Sequence, residues 1–175
     1  MKKVIIISSL ALLIFSSLFC SKSKIEVSPD NFTECSSSSK CSYLFTEQAD
    51  IESAYRIKSG NYRLFWNTTD NDLGSCELTS TLWIKAPMNA NSFLLHSDDI
   101  KQGMVSYSHS CVCCSLIGLK PIGGYVKGIN TTPEKRADQT KWLIEAEIIL
   151  GAIQDNKPVD TLYLKQYFNP NFVYD

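Results

Sequence analysis

Short apolar runs alternate with turn-forming residues along most of the chain, from Tyr43 onwards. Within a run the apolar residues recur at every second position, as Leu82, Ile84 and Ala86 do, and this is the period of a β-strand with one buried face. The predicted strands lie near 43–49, 53–58, 61–67, 78–86, 91–96, 103–113, 119–129, 141–150 and 160–168. Several short strands separated by tight turns predict an all-β fold, either an antiparallel β-sandwich or a small barrel.

The segment 133–150 fits two kinds of element. Threonines followed by a proline and an acid are typical of a helix start, and the apolar residues that follow include a helical stripe. A helix would place Ile144 and Ile148 on its back face, whereas a strand places them with the other apolar residues and turns two glutamates outward. We therefore predict a strand over 141–150, after a helical turn at 133–139.

The N-terminus is organised as an export signal. Two lysines precede an apolar stretch, residues 4–19, and polar residues follow at once. The stretch is shorter than the roughly 20 apolar residues that a membrane-spanning helix needs, and its flanks are typical of a secretory signal peptide. We predict a signal peptide over 1–19, a flexible serine-rich tether over 20–42 and a single β-rich domain over 43–175. The alternative is a retained N-terminal anchor helix.

Cys20 directly follows the apolar stretch. A stretch that ends in Leu18-Phe19-Cys20 resembles the signal peptides of bacterial lipoproteins, in which this cysteine becomes the first residue of the mature chain and carries acyl chains. The resemblance covers only the first two dozen residues, and Ser17 and Phe19 stand where the lipoprotein pattern usually has leucine and a small residue. It implies lipidation of Cys20 and attachment to the membrane of the cell envelope through an N-terminal lipid anchor. Cleavage after Cys20 or Ser23, which would give a soluble secreted or periplasmic protein, is the alternative.

Composition and charge exclude several classes of protein. The chain has 175 residues, 44% of them hydrophobic and 20% charged, which is ordinary for one globular domain and unlike a disordered or collagen-like chain. Its net charge is −1, and loss of the two N-terminal lysines with the signal peptide lowers it to about −3. Without a basic excess, we expect neither a nucleic acid nor anionic lipid headgroups as a partner held by a basic patch.

Besides Cys20 the chain has an even number of cysteines. They are Cys35, Cys41, Cys76, Cys111, Cys113 and Cys114. An even number in an exported chain is typical of disulfides. Cys35 and Cys41 flank a short polar loop and are the first pair that we predict. Cys76 is then predicted to pair with one of the three cysteines at 111–114.

A metal site is the alternative for part of this set. His109, Cys111, Cys113 and Cys114 place one imidazole and three sulfurs within six residues, and soft sulfur ligands suit zinc or copper(I). However, consecutive residues of a regular strand face opposite sides, and exported thiols tend to oxidise. We therefore predict structural disulfides and no cofactor, with a metal-binding or thiol-redox role as the alternative function.

The sequence contains no catalytic motif. His96 and His109 are the two histidines, and neither lies in a known nucleophile signature. Glu145 and Glu147 lie side by side on one face of a predicted strand, whereas a glycosidase pair must flank its substrate across a cleft. The sequence thus favours a non-catalytic binding or structural role at the cell envelope, with an unidentified envelope or extracellular ligand as partner.

Overall fold

The structure, a computed structural model, describes residues 25–52, 55–72, 74, 76–111, 113 and 115–172. Strands dominate this part of the chain, which confirms the all-β prediction. The strands are β1 (Ser39–Ile51), β2 (Ile57–Ser59), β3 (Tyr62–Asp72), β4 (Glu77–Pro87), β5 (Ser92–Leu95), β6 (Val105–Cys111), β7 (Leu119–Asn130), β8 (Trp142–Ala152) and β9 (Pro158–Pro170). The helical elements are α1 (Ser97–Asp99), a π-helical turn (Ile100–Met104) and a 3₁₀ turn (Ala137–Gln139).

The strands form one mixed sheet in the order β5-β7-β8-β9-β1-β3-β4-β6, with β2 paired to β1. Neighbouring strands are antiparallel except β1 and β9, which run parallel over two residue pairs, Leu44 with Asn169 and Phe45 with Pro170. This short junction divides the sheet into half A (β1–β4 and β6) and half B (β5 and β7–β9). The predicted antiparallel pattern holds within each half, and the junction adds a parallel contact that the sequence did not predict.

The two halves pack face to face. Phe65 of β3 lies 5.6 Å from Phe93 of β5 and 5.5 Å from Trp142 of β8, measured between ring centroids. Because β3 is not hydrogen-bonded to either of those strands, these contacts cross the space between the halves. The end strands β5 and β6 do not pair with each other in the described sheet. Of the two predicted architectures, the structure therefore has the sandwich and not the closed barrel.

The contested segment forms β8, which confirms the prediction of a strand. Its residues facing half A are all buried, and they are Trp142, Ile144, Ala146, Ile148 and Leu150. Glu145 and Glu147 lie on the opposite, half-buried face. The 3₁₀ turn lies within the predicted helical turn. Burial of both isoleucines on one strand face therefore decided between the two elements, as expected.

Residues 27–34, here named the N-terminal strap, lie against half B. Val27 is buried, and the Phe32 ring lies 5.3 Å from that of Tyr167. The backbone N–H of Thr33 donates to the carbonyl of Lys165 at 2.9 Å, and the Lys165 N–H donates to the Thr33 hydroxyl at 2.8 Å. The strap thus satisfies backbone groups on the edge of β9 where β9 separates from β1.

The boundary between tether and domain differs from the prediction. β1 begins at Ser39, before the predicted domain start at Tyr43, and the strap belongs to the packed structure. The predicted signal peptide, Cys20 and residues 21–24 lie outside the described residues.

Candidate functional site

The inner face of half A carries four cross-strand rows, each built from one residue of β1, β3, β4 and β6. Row 1 is Phe45, Phe65, Ile84 and Val105; row 2 is Tyr43, Asn67, Leu82 and Tyr107; row 3 is Cys41, Thr69, Ser80 and His109; row 4 is Ser39, Asn71, Leu78 and Cys111. Row 1 is entirely apolar and buried, whereas rows 2 and 3 carry hydroxyl, amide and imidazole groups. The inner face therefore changes from apolar to polar over a short distance along each strand.

A cleft of about 250 Å³ opens between the two halves at the polar rows. Leu162 and Leu164 of β9 face it from half B, and Thr33 and Glu34 of the strap form a further wall. The cleft exists because β1 and β9 touch only at their short parallel junction and then diverge. The strap fills part of the gap and leaves the rest open.

The polar side chains of the cleft are only partly paired with one another. The Ser39 hydroxyl donates to Asn71 Oδ1 at 2.6 Å, and Asn67 Nδ2 donates to the Ser42 carbonyl at 3.2 Å. The Tyr43 hydroxyl has no hydrogen-bond partner among the described residues, although its ring packs edge-on against Phe168 at 5.7 Å. Hydrogen-bonding capacity therefore remains on row 2, facing the cleft.

The electrostatics of the cleft favour neutral groups. Burial raises the pKa of the Tyr43 phenol. Burial also raises the pKa of Tyr107, where a hydrogen bond with Ser80 opposes the shift and the negative charge of Asp160 adds to it. Both phenols are thus protonated near neutral pH and able to donate as well as accept. Among the described residues that line the cleft, none is lysine or arginine, and the one carboxylate is that of the exposed Glu34.

The Cys35–Cys41 disulfide lies beside the cleft. The two residues form the pair that the sequence predicted, with their Cα atoms 6.0 Å apart. Cys41 belongs to row 3 and lines the cleft, while Cys35 directly follows Glu34 of the strap. This bond therefore ties the strap to β1 at the wall of the cleft.

The remaining described cysteines form a cluster at the end of half A. Cys76 is disulfide-bonded to Cys113, within the group of pairings that we predicted for it, with Cα atoms 5.9 Å apart. Cys111 is disulfide-bonded as well, and its Sγ lies 3.7 Å from that of Cys113. The sulfurs of Cys76, Cys111 and Cys113 all lie within 4.8 Å of one another. Cys114 lies outside the described residues.

This cluster differs from the metal set suggested by the sequence, because it contains Cys76 and not His109. Antiparallel pairing of β4 with β6 brings the residue before β4 next to those that end and follow β6. His109 lies in row 3, with its ring 5.5 Å from that of Tyr107 and perpendicular to it. Cys113 follows the end of β6, so the alternation of a regular strand does not restrict where its sulfur points.

The candidate carboxylates lie on the outer face of half B, away from the cleft. Glu145 lies between Lys127 and Lys165 on neighbouring strands, at 3.2 Å and 3.6 Å from their ammonium groups. Burial opposes ionisation of Glu145, but hydrogen bonds from Lys127 and Tyr125 and the lysine charges outweigh it and lower the pKa of this carboxyl. Glu145 is therefore ionised and paired with lysine charges on the face that is turned away from the cleft.

The sequence did not predict the cleft, although one signal was present. Asn67, Thr69 and Asn71 occupy alternate positions of β3, so a polar face is visible in the sequence once the strand is known. Which side of the sheet that face occupies depends on pairing with strands far away in the chain.

No protein-family model, curated protein sequence or solved structure matches the chain, so no catalytic family is identified. Within the part of the chain that the structure describes, no helix is long and apolar enough to cross a membrane. The disulfide pairs are consistent with an exported protein.

Proposed function

We propose that this protein is an exported, lipid-anchored binding protein of the cell envelope, and that it holds a small ligand in the cleft between the two halves of the sheet. The observation that carries the proposal is the polar inner face of rows 2 and 3. Inward positions of a sandwich stabilise it when they are apolar, and a polar group there costs free energy unless it finds a partner. Tyr43 is half-buried and lines the open cleft, so its hydroxyl is available to water or to a bound ligand.

We propose that the role is binding without catalysis. Among the described residues, neither imidazole bonds a carboxylate, which an acid–base relay would need. The backbone N–H of His96 donates to Asp99 at the start of α1, and His109 packs against the ring of Tyr107. The candidate acids, Glu145 and Glu147, lie on the face that is turned away from the cleft.

The export and anchoring part of this proposal rests on the disulfides and on the lipoprotein-like signal that ends at Cys20. Its test is the intact mass of the full protein, isolated from its native membrane without reductant. We expect a chain that begins at Cys20 and carries acyl groups, with the other six cysteines alkylated only after reduction. In the Cys20→Ser variant the acylated species should be absent. A soluble wild-type chain that begins after Ser23 would contradict the lipid anchor.

The binding part is tested by amide NMR spectra of the full protein in detergent, titrated separately with D-glucose, inorganic phosphate, L-alanine and octanoate. We expect at least one of these probes to shift the amides of rows 2 and 3 in a saturable manner. Ser80→Phe, which fills the cleft, should remove the response. Thr81→Phe, the neighbouring change on the outer face, should preserve it. If no probe shifts these amides, or if both variants respond equally, the cleft is not the binding site.

A second candidate function, thiol–metal or redox chemistry, is favoured by the sulfur cluster. Three cysteine sulfurs within 4.8 Å match the donor set of a soft metal ion, provided that they are reduced. This role would require that Cys76, Cys111 and Cys113 react with an alkylating reagent before reduction, or that the purified protein retains one metal ion per chain. Under our first proposal all three react only after reduction, and no metal is retained. The mass measurement above therefore separates the two functions.

A further inference from the structure

The chemistry of the cleft also indicates which class of ligand it takes. We propose that the ligand is a neutral, polyhydroxylated molecule of about one ring, that is, a monosaccharide or a single sugar unit. This inference rests on the proposed function, because it assigns a ligand to the same cleft. Charge, hydrogen-bonding groups, shape and size each support it independently.

Charge excludes anionic ligands. No cationic side chain is present among the described residues that line the cleft, so phosphate or a fatty-acid carboxylate would enter without a counter-charge. The one charged side chain in the described lining is the carboxylate of Glu34, and the negative charge of Asp160 acts on Tyr107. An anion would thus be desolvated against like charges, which is unfavourable. An amino acid would lack a partner for its carboxylate for the same reason.

The hydrogen-bonding groups of the cleft match those of a sugar. Hydroxyl and carboxamide groups both donate and accept, and those lining the cleft include the side chains of Tyr43, Asn67, Thr69, Asn71 and Ser80. The hydroxyls of a sugar have the same dual character, so each can donate to one cleft residue and accept from another. The side-chain oxygen of Tyr43 makes no hydrogen bond within the described residues, and the side chain of Asn67 bonds there through its nitrogen. These oxygens are the groups that a ligand hydroxyl would satisfy.

The apolar part of the lining and the size of the cleft point in the same direction. Leu82, Leu162 and Leu164 stand among the polar residues, together with the rings of Tyr43 and Tyr107. A sugar ring presents C–H groups on its faces and hydroxyls around its edge, which suits a lining of this mixed kind. The volume, about 250 Å³, lies below the range of roughly 300–1,000 Å³ that holds drug-sized ligands. The cleft therefore has room for one ring and not for a long acyl chain.

The test measures the affinity of the full protein in detergent for D-glucose, D-galactose, N-acetyl-D-glucosamine and L-rhamnose by NMR titration. We expect saturable binding of at least one of these sugars, with shifted amides in rows 2 and 3. Tyr43→Phe removes a hydroxyl that has no hydrogen-bond partner among the described residues. It should weaken binding of that sugar by about three- to tenfold without lowering stability. Thr69→Val should lower the affinity for the same sugar by a similar factor. Thr68→Val, the same change one residue away on the outer face, should leave the affinity unchanged.

The outcomes separate this inference from the proposed function. If no sugar binds at the cleft, or if Tyr43→Phe and Thr69→Val bind the sugar as well as wild type does, the sugar inference is overturned. If phosphate, L-alanine or octanoate binds there and no sugar does, the inference is wrong while the binding function stands. If none of the probes binds at the cleft, both are wrong.

Discussion

The two halves of the sheet present different chemistry to the space between them. In half B the inward positions of β8 are apolar and buried along the strand, from Trp142 to Leu150. In half A only row 1 is wholly apolar, and rows 2 and 3 place polar groups opposite the leucines of β9. Because burial of apolar surface is the main favourable contribution to folding, half A gives up stabilisation over part of its length. Stability should therefore depend mainly on half B and row 1, while the binding that we propose would use rows 2 and 3.

The largest expected loss of stability comes from truncating a buried apolar residue of half B. Ile148 is fully buried in half B, so Ile148→Ala should lower the free energy of unfolding by about 2–5 kcal/mol, from lost burial and the cavity that remains. Ser80→Ala, at a half-buried polar position of half A, removes one hydroxyl group and should lower the free energy of unfolding by less than about 1.5 kcal/mol. Urea denaturation measures both. Equal losses of unfolding free energy in the two variants would mean that the polar positions of half A contribute to stability as much as the apolar positions of half B do.

A smaller effect is expected where the strap joins half A. Replacing Cys35 and Cys41 together by serine removes a cross-link that closes a short loop, with a sequence separation of 6, and should lower the free energy of unfolding by about 2 kcal/mol. It should also speed hydrogen exchange at the Thr33 amide, whose bond to Lys165 the disulfide helps to keep in place. The amide of Ile148 is the internal control and should change only with global stability. Unaltered protection at Thr33 would show that the strap holds to β9 without the disulfide.

The smallest effect concerns the charged outer face of half B. The folded protein lowers the pKa of Glu145 below its ordinary value, so its ionised form contributes stability above that value and loses the contribution as the pH falls through the lowered pKa. Glu145→Gln should therefore cost less than about 1 kcal/mol at pH 7, and the difference from wild type should shrink towards acid pH. Denaturation at a series of pH values from 7 to about 3 measures this. If the difference in free energy of unfolding between wild type and Glu145→Gln grows on acidification, the folded protein raises the pKa of Glu145 instead of lowering it.

The strands could be predicted from the sequence because their alternation is local. β8 is the clearest case, since Ile144 and Ile148 fit a strand with one buried face and do not fit an amphipathic helix. The same reasoning is less informative for β3. There Leu64 and Trp66 form an apolar face, but they belong to a second cluster with Trp83 on the outer side of half A. Alternation shows that two faces differ and does not show which of them is turned inward.

The cleft could not be predicted because it depends on contacts between distant parts of the chain. Thr68 and Thr69 are the same residue type, and only the register with β1 and β4 places Thr69 at the cleft and Thr68 outside. The strap is a similar case, since Thr33 bonds a residue more than 100 positions away. Cys76 joins Cys111 and Cys113 for the same reason. Disulfides were predictable from the even number of cysteines after Cys20 and from the expected export, whereas the pairing of Cys76 needed the β4–β6 register.

The strap and its disulfide also determine how the molecule would respond to a mechanical load applied at residue 25. Such a load would break the contacts of Asp30, Phe32 and Thr33 with β9 one after another. Peeling would stop at Cys35, where the covalent bond passes the force directly to Cys41. From there β1 would be pulled along its own axis against β3, so that many hydrogen bonds resist together. The strap would therefore detach and extend first, up to Cys35. Strand β1 would bear the load only after the strap is fully extended.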